Sequence, residues 1–271
     1  MMVALLPFLL LPILPGEPST APVAISSGTY EVNGSFSAFT TDELGNVYAL
    51  SGDVLELYDK QGRSLIRNSV KTFGKITHMD AFYSLKPMVF SAEQGNLAVL
   101  DNTLSVQGSV INISRKFPQV VLAAMSVQNN FWLFDERELS ILRVDGQLRP
   151  LADTGRLDQL LGTTPQPVAM HEHDSWLYVN DRGNGILVFD LFGTYSRTIP
   201  ITNAASFEVR ANEIYYFSEG KLWLYDMRSF AIREIPLPDG LDQIMDARVE
   251  RGVLYLLMKD RLLITPIPRQ P

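Results

Sequence analysis

The sequence predicts an all-β protein, a six-bladed β-propeller of four-stranded antiparallel blades, closed by an N-terminal strand that pairs with the last blade. Three observations predict this fold. One sequence motif recurs about every 40 residues, which is the period of a propeller blade. Within the apolar runs of this motif, apolar and polar residues seldom alternate. The runs at the two chain ends complete a set of blades only if the ends pair with each other.

The recurring motif has two sequence landmarks. The first is an apolar residue followed by an aromatic one, and the aromatic residues stand 37 to 46 positions apart. These pairs are Val47-Tyr48, Val89-Phe90, Phe131-Trp132, Leu177-Tyr178, Ile214-Tyr215 and Leu254-Tyr255. The second landmark, an Asp that ends the next apolar run, follows 10 to 13 positions later. It occurs at Asp59, Asp101, Asp145, Asp190 and Asp226, and as Thr265 in the last unit.

Four apolar runs per unit predict four strands per blade. In the first unit these runs are Phe36–Thr41, Asn46–Ser51, Val54–Asp59 and Ser64–Ser69, separated by short turns that make neighbouring strands antiparallel. Runs such as "NLAVLD", "GILVFD", "KLWLYD" and "VLYLLM" are apolar nearly throughout, so both faces of these strands must be covered. Blades stacked around a ring cover both faces, whereas a two-sheet sandwich covers one, and the propeller is therefore favoured.

The chain ends predict how the ring closes. The sixth unit supplies only three runs, Gln243–Val249, Val253–Lys259 and Arg261–Ile267, and a strand-like segment lies ahead of the first unit at Gly28–Gly34. We expect that segment to become the outer strand of the last blade. The one insertion, at Thr154–Gln166, predicts a short helix between units three and four.

The repeated motif has a structural explanation. Each blade needs two-sided apolar strands, an aromatic residue to fill the wedge beside its neighbour, and an Asp whose carboxylate bonds backbone N–H groups of the following turn. We therefore expect the five recurring aspartates to hold turns and not to form a catalytic set.

The first residues predict export. Residues 1–21 are interpreted as a signal peptide because an apolar run from Met1 to Pro15 is too short to span a membrane and precedes small and polar residues. Residues 22–271 are then the propeller domain. The expected location is extracytoplasmic, periplasmic or secreted, and the protein is not expected to be an integral membrane protein.

Composition excludes several function classes. The formal charge is -7, which repels polyanions, so no nucleic acid is expected as a partner. The chain has no cysteine, which excludes disulfides, Cys-ligated metals and a Cys nucleophile. No nucleophile elbow, zinc-protease helix or phosphate loop is present either.

Two segments, "DELGNVYALSGDVLELYDKQGRSL" at Asp42–Leu65 and "WLYVNDRGNGILVFDLFGTY" at Trp176–Tyr195, resemble NHL-type repeats of six-bladed propellers. The whole chain is also similar to secreted propellers of bacterial envelopes that have no assigned activity. The NHL resemblance implies a binding platform for proteins, RNA or small ligands. Some relatives with the same blade count are metal-dependent lactonases, so the resemblance alone does not choose among these functions.

Polar residues on the innermost strand of each unit are candidates for lining the central channel. They are His78, Asp80, His171, Glu172, His173, Glu208, Arg210, Asp246 and Arg248. The histidines are expected to meet solvent or a neighbouring blade, because His78 lies two blades from the other two and a zinc site needs three or four ligands together. No cofactor is expected in the leading interpretation. In the alternative, Asp80, Glu172, Glu208 and Asp246 hold a catalytic calcium ion.

The leading functional interpretation is a non-catalytic platform in the cell envelope that binds another protein or a glycan. The predicted binding residues lie between the second and third strands of the units, where loops on a rigid scaffold usually carry function. They are Asp53, Glu93, Glu136, Arg137, Asp181, Arg182, Glu219 and Lys221. The alternative is a calcium-dependent, lactonase-like hydrolase that works in the channel.

Overall fold

The structure, a computed structural model, describes residues 28–81, 86–241 and 243–268. The predicted signal peptide lies outside these residues. Within them the chain forms six four-stranded antiparallel sheets arranged as the blades of a propeller, as predicted. The strand count over the described part of the chain is 24, and a short helix and two 3-10 turns complete the structure.

Blades 1 to 3 comprise the following strands, from the innermost outward. Blade 1 contains β2 (Ala38–Thr41), β3 (Val47–Ser51), β4 (Val54–Tyr58) and β5 (Ser64–Ser69). Blade 2 contains β6 (His78–Asp80), β7 (Met88–Ser91), β8 (Asn96–Val99) and β9 (Ile111–Asn112), followed by a 3-10 turn at Ile113–Arg115. Blade 3 contains β10 (Val120–Ser126), β11 (Asn130–Asp135), β12 (Ser140–Val144) and β13 (Pro150–Asp153), with a 3-10 turn at Val127–Asn129.

Blades 4 to 6 follow the same order. Blade 4 contains β14 (Pro167–His173), β15 (Trp176–Asp181), β16 (Gly185–Asp190) and β17 (Tyr195–Ile199). Blade 5 contains β18 (Ser206–Arg210), β19 (Glu213–Ser218), β20 (Lys221–Asp226) and β21 (Ile232–Ile235). Blade 6 contains β22 (Asp246–Glu250), β23 (Val253–Leu257), β24 (Arg261–Pro266) and, from the other end of the chain, β1 (Tyr30–Asn33).

The ring closes as the sequence predicted. Strand β1 pairs antiparallel with β24, with Tyr30 opposite Ile264 and Asn33 opposite Arg261. The N–H of Gly34 donates to the carbonyl of Asp260 at 2.9 Å and extends the contact beyond the strand. N- and C-terminal segments therefore share one sheet, and the outer edge of β24 is covered.

Each junction between neighbouring blades is filled by one cluster of buried apolar side chains, which makes six clusters among the described residues. Between blades 3 and 4, for example, the fully buried Trp132 and Phe189 pack in the same cluster. The predicted insertion helix, α1 (Leu157–Leu161), adds its buried Leu157 to this cluster. The two-sided apolar strands are thus explained by packing on both neighbours.

The recurring aspartates hold turns, as predicted. Asp145, for example, accepts hydrogen bonds from the N–H groups of Gln147 and Arg149, both at 2.9 Å. The bond from the Arg149 N–H lowers the pKa of the Asp145 carboxyl below its usual value. The same pattern of two N–H donors to one carboxylate oxygen recurs at Asp59, Asp101, Asp190 and Asp226.

The glycine that closes this turn in blade 4 has a packing reason of its own. Gly193 has φ of +80°, and a Cβ atom at this position would lie 2.7 Å from the backbone of Asp153 in blade 3. A side chain would therefore clash with the outer strand of the preceding blade as well as strain the turn. The glycine of the repeated motif therefore allows neighbouring blades to pack closely, in addition to its role in the turn.

Replacing Phe189 with Ala is expected to lower the free energy of unfolding by about 3–5 kcal/mol, the usual cost of removing a buried aromatic ring. Chemical denaturation measures the change. Phe192→Ala is the matched control, because Phe192 is 79% exposed three residues away and should change stability by no more than about 0.5 kcal/mol. A loss below about 1 kcal/mol for Phe189→Ala would contradict the burial of this ring between blades 3 and 4.

Candidate functional site

A cavity of about 220 Å³ lies on the axis of the ring. Residues of the innermost strands of all six blades line it. Of the nine predicted channel residues, seven line this cavity: His78, Asp80, His171, Glu208, Arg210, Asp246 and Arg248. The remaining predicted residues, Glu172 and His173, lie on β14 but do not line it.

Ion pairs join the innermost strands of blades 5 and 6 beside this cavity. The guanidinium of Arg248 in blade 6 donates to Glu208 Oε1 in blade 5 at 2.8 Å. Arg210 in blade 5 donates in turn to Glu250 Oε2 in blade 6 at 2.7 Å. Both carboxylate side chains are only 6% exposed. These four charged side chains therefore hold two blades together, although the sequence alone does not show that they are paired.

Two of these charged side chains also reach blade 1. Thr41 Oγ1 donates to Glu208 Oε1 at 3.4 Å, and the Arg248 guanidinium lies over the ring of Phe39 with its central carbon 5.4 Å from the ring centre. The network thus crosses part of the channel and links blades 5, 6 and 1.

The other two acids of the cavity also bond neighbouring strands. Asp80 Oδ2 in blade 2 accepts from the N–H of Met125 in blade 3 at 3.1 Å. Asp246 accepts from the Ser206 hydroxyl and from the N–H of Ala247. Burial raises the pKa of the Asp246 carboxyl above its usual value, although the charge of Arg248 opposes this effect.

Glu172 faces away from the cavity. Its carboxylate accepts from the indole N–H of Trp132 at 2.5 Å and from the N–H of Val127 at 2.9 Å, both in blade 3. The four carboxylates predicted as calcium ligands therefore do not meet at one point. In residues 28–81, 86–241 and 243–268, no three His, Asp or Glu side chains come together in a way that could hold a metal ion.

The histidines meet neighbouring blades. His173 Nε2 accepts from the N–H of Ala211 in blade 5 at 3.0 Å, and the rings of His171 and His173 are stacked with centres 6.5 Å apart. Burial lowers the pKa of His171 well below its usual value, and nearby Arg210 adds to this effect. Burial also lowers the pKa of His78. These imidazoles are therefore neutral at pH 7.

The face that carries the loops between the second and third strands of the blades, which we call the loop face, presents most of the predicted binding residues. Seven of them are exposed: Asp53, Glu93, Glu136, Arg137, Arg182, Glu219 and Lys221. Asp181 is instead fully buried, and its carboxylate accepts from the N–H groups of Gln166, Gly183 and Asn184. Asp181 holds its own loop, like the recurring turn aspartates.

Sequence reasoning missed Glu250 and Thr41 as members of the channel network. Glu250 is buried and lies two residues after Arg248 on β22, so that the two side chains share a face. The period of two along a strand was a signal that could have found it. Thr41 gave no such signal, because its contact with Glu208 joins strands 167 residues apart.

No model of a protein family and no curated protein matches the chain. Solved structures share its fold. A streptogramin B lyase structure is 14% identical with a TM-score of 0.58, and the match covers 89% of this chain and 98% of that one. The Pan2 WD40 domain of Neurospora crassa is 8% identical with a TM-score of 0.63, covering 92% and 99%. A chain of the mitotic checkpoint complex is 7% identical with a TM-score of 0.61, covering 98% and 99%.

These likenesses show the propeller fold. At such low identity they carry no function to this chain, and the fold is shared by a lyase and by a chain of the mitotic checkpoint complex. The resemblance to NHL-type repeats and to envelope propellers stays a prediction. Among the described residues, no helix has both the length and the apolar character needed to cross a membrane.

Proposed function

We propose that this protein is a non-catalytic binding platform outside the cytoplasm, and that its loop face holds another protein of the cell envelope. One contrast carries the proposal. The carboxylates and guanidinium groups of the channel bond side chains or backbone N–H groups of neighbouring blades, as Glu208 does with Arg248 at 2.8 Å. The seven charged side chains of the loop face are exposed to solvent.

The scaffold supports binding at this face. Each loop joins two paired strands, for example β11 and β12, whose five paired positions fix the loop ends. A partner would therefore meet side chains on loops that are already ordered, and association would cost little conformational entropy. Short loops on a rigid framework are a common place for binding sites.

The charges of the loop face favour a protein partner. The exposed set combines acids with bases, and some of them pair within the chain, as Lys221 does with Glu234 at 2.9 Å. A surface with charges of both signs matches another protein surface better than a polyanion. The net charge of -7 also opposes binding to a polyanion.

Propellers of the same fold occur in protein assemblies, since one of the similar structures is a mitotic checkpoint complex. This supports the capacity of the fold and not the identity of a partner. The proposed location rests on the apolar run from Met1 to Pro15 and on the resemblance to envelope propellers. A glycan is the other occupant that the sequence left open.

The proposal is tested by affinity capture from native envelope extracts with the wild-type protein and two charge-reversal variants. Glu136→Lys changes an exposed residue of the loop face, and Glu43→Lys changes an exposed residue of the β2–β3 loop on the opposite face. We expect a stoichiometric protein partner whose affinity falls about tenfold or more with Glu136→Lys, because a like-charge contact costs several kcal/mol, and stays unchanged with Glu43→Lys.

Three outcomes would contradict the proposal. They are the absence of a stoichiometric partner, an equal loss of affinity in both variants, and recovery only of glycans. Both variants alter exposed side chains, so their melting temperatures should equal that of the wild type and serve as the control for folding.

A further inference from the structure

We propose that the axial cavity binds a small organic cation, a primary ammonium carried on an apolar body slightly larger than benzene, through the carboxylates of Glu208 and Asp246. This inference goes beyond the proposed function, which concerns the loop face. It concerns a second site with a different class of ligand.

The first argument is a buried carboxylate oxygen. Glu208 is 5% exposed, and its Oε1 atom accepts the bond from Arg248. Its Oε2 atom is buried and has no hydrogen-bond partner among the residues that the structure describes. A buried acceptor without a donor destabilises the protein, and more so when the acceptor is charged. Glu208 lines the cavity, and a donor that reaches Oε2 from there would remove this cost.

The second argument is the balance of charge. Three carboxylates line the cavity, those of Asp80, Glu208 and Asp246, against the two guanidinium groups of Arg210 and Arg248. Arg210 lies 3.6 Å from Glu208 and 2.7 Å from Glu250, which lies outside the cavity, so its single positive charge is shared between two carboxylates. The cavity is therefore left with an excess of negative charge that a cation would balance.

The neighbouring titratable groups do not supply that positive charge. Burial keeps His78 and His171 neutral by lowering the pKa of each imidazole. Arg248 lies 3.8 Å from Asp246, too far for a hydrogen bond, while it bonds Glu208 at 2.8 Å. Burial is the largest cause of the raised pKa of Asp246 and outweighs the opposing charge of Arg248.

The volume of the cavity and its apolar wall determine the size of the ligand and its apolar part. The cavity of about 220 Å³ exceeds the ~150 Å³ of an engineered protein cavity that binds benzene. Phe39, Ala123, Ala169 and Met170 supply apolar surface on its wall. An ammonium has three donors and can serve two carboxylates at once, whereas a metal ion would need a cluster of ligands that the described residues do not form.

The test is calorimetric titration of the full chain with benzylamine, n-butylamine, benzyl alcohol and benzoate. Benzylamine, benzyl alcohol and benzoate share one ring and differ in charge, and n-butylamine keeps the ammonium without the ring. We expect at least one of the two amines to bind, with an affinity about tenfold or more above that of benzyl alcohol, and benzoate not to bind.

Variants locate the site. Asp246→Asn and Glu208→Gln each remove one negative charge at nearly constant volume and should weaken amine binding about tenfold or more. Glu43→Gln removes an exposed charge outside both the cavity and the loop face and should leave amine binding unchanged. Thermal melting checks that each variant is folded, and Asp246→Asn carries the test alone if Glu208→Gln does not fold.

Three results would overturn the proposal. The first is no binding of either amine, and the second is equal affinity for benzylamine and benzyl alcohol, which would show an apolar cavity without charge preference. The third is amine binding that persists in the folded Asp246→Asn variant. A loss of protein-partner capture in the same variants would concern the loop face and is measured separately.

Discussion

A truncated chain that begins at Gly34 is expected to lose cooperative melting or to aggregate, whereas a chain that begins at Gly28 should keep the melting behaviour of its blades. The two proteins differ only by residues 28–33, which contain β1. Thermal melting followed by circular dichroism, together with light scattering, measures both effects.

The physical reason lies at the closure of the ring. Removing β1 exposes the edge of β24, where Leu262, Leu263 and Ile264 are buried in the complete protein. It also removes Val32, which is 6% exposed in the cluster between blades 6 and 1. Burying one such side chain contributes about 1.5–3 kcal/mol, and each backbone hydrogen bond adds about 0.5–1.5 kcal/mol.

The sum of these losses is a large part of the roughly 5–15 kcal/mol that stabilises a typical domain. The uncovered edge is also a template for pairing between chains, which explains the expected aggregation. If the chain that begins at Gly34 melts as cooperatively as the one that begins at Gly28, the ring does not depend on β1. That result would contradict closure through a sheet shared by the two chain ends.

The fold was predictable because its causes are local and repeated. Packing on two neighbouring blades requires apolar residues on both faces of a strand, and this requirement is visible in the run "GILVFD" that contains the fully buried Phe189. The role of Asp145 was predictable for the same reason, since its partners Gln147 and Arg149 follow within four residues. Closure by β1 followed from the incomplete last unit.

The channel was only partly predictable, because its contacts join blades. Polar residues could be assigned to innermost strands, but the side to which each one turns depends on how the blades sit against one another. Glu172 and Glu208 have the same chemistry, yet Glu172 bonds Trp132 in the preceding blade and Glu208 bonds Arg248 in the following one. Asp181 was misplaced among the exposed acids because its burial depends on bonds to its own loop and to Gln166.

The ion pair between Glu208 and Arg248 gives the second large expected effect. Replacing Arg248 with Met should lower the free energy of unfolding by about 3–5 kcal/mol, the usual cost of removing one partner of a buried ion pair. The Glu208 carboxylate, 6% exposed, would keep its charge and lose its 2.8 Å donor. Arg67→Met is the matched control, because Arg67 is 69% exposed and lies 3.9 Å from Glu56, so its loss should cost no more than about 1 kcal/mol.

The double variant Arg248→Met with Glu208→Leu separates the ion pair from simple packing. Replacing both charges with apolar side chains removes the unpaired carboxylate, and such exchanges are often neutral, so we expect the double variant to recover most of the stability lost by Arg248→Met. Arg210 keeps its partner Glu250 at 2.7 Å in this variant and is not left unpaired by the change. Chemical denaturation of the wild type, both single variants and the double variant gives the coupling energy. A double variant less stable than Arg248→Met alone would show that Glu208 stabilises the ring through other contacts, and that the pair is not what joins blades 5 and 6.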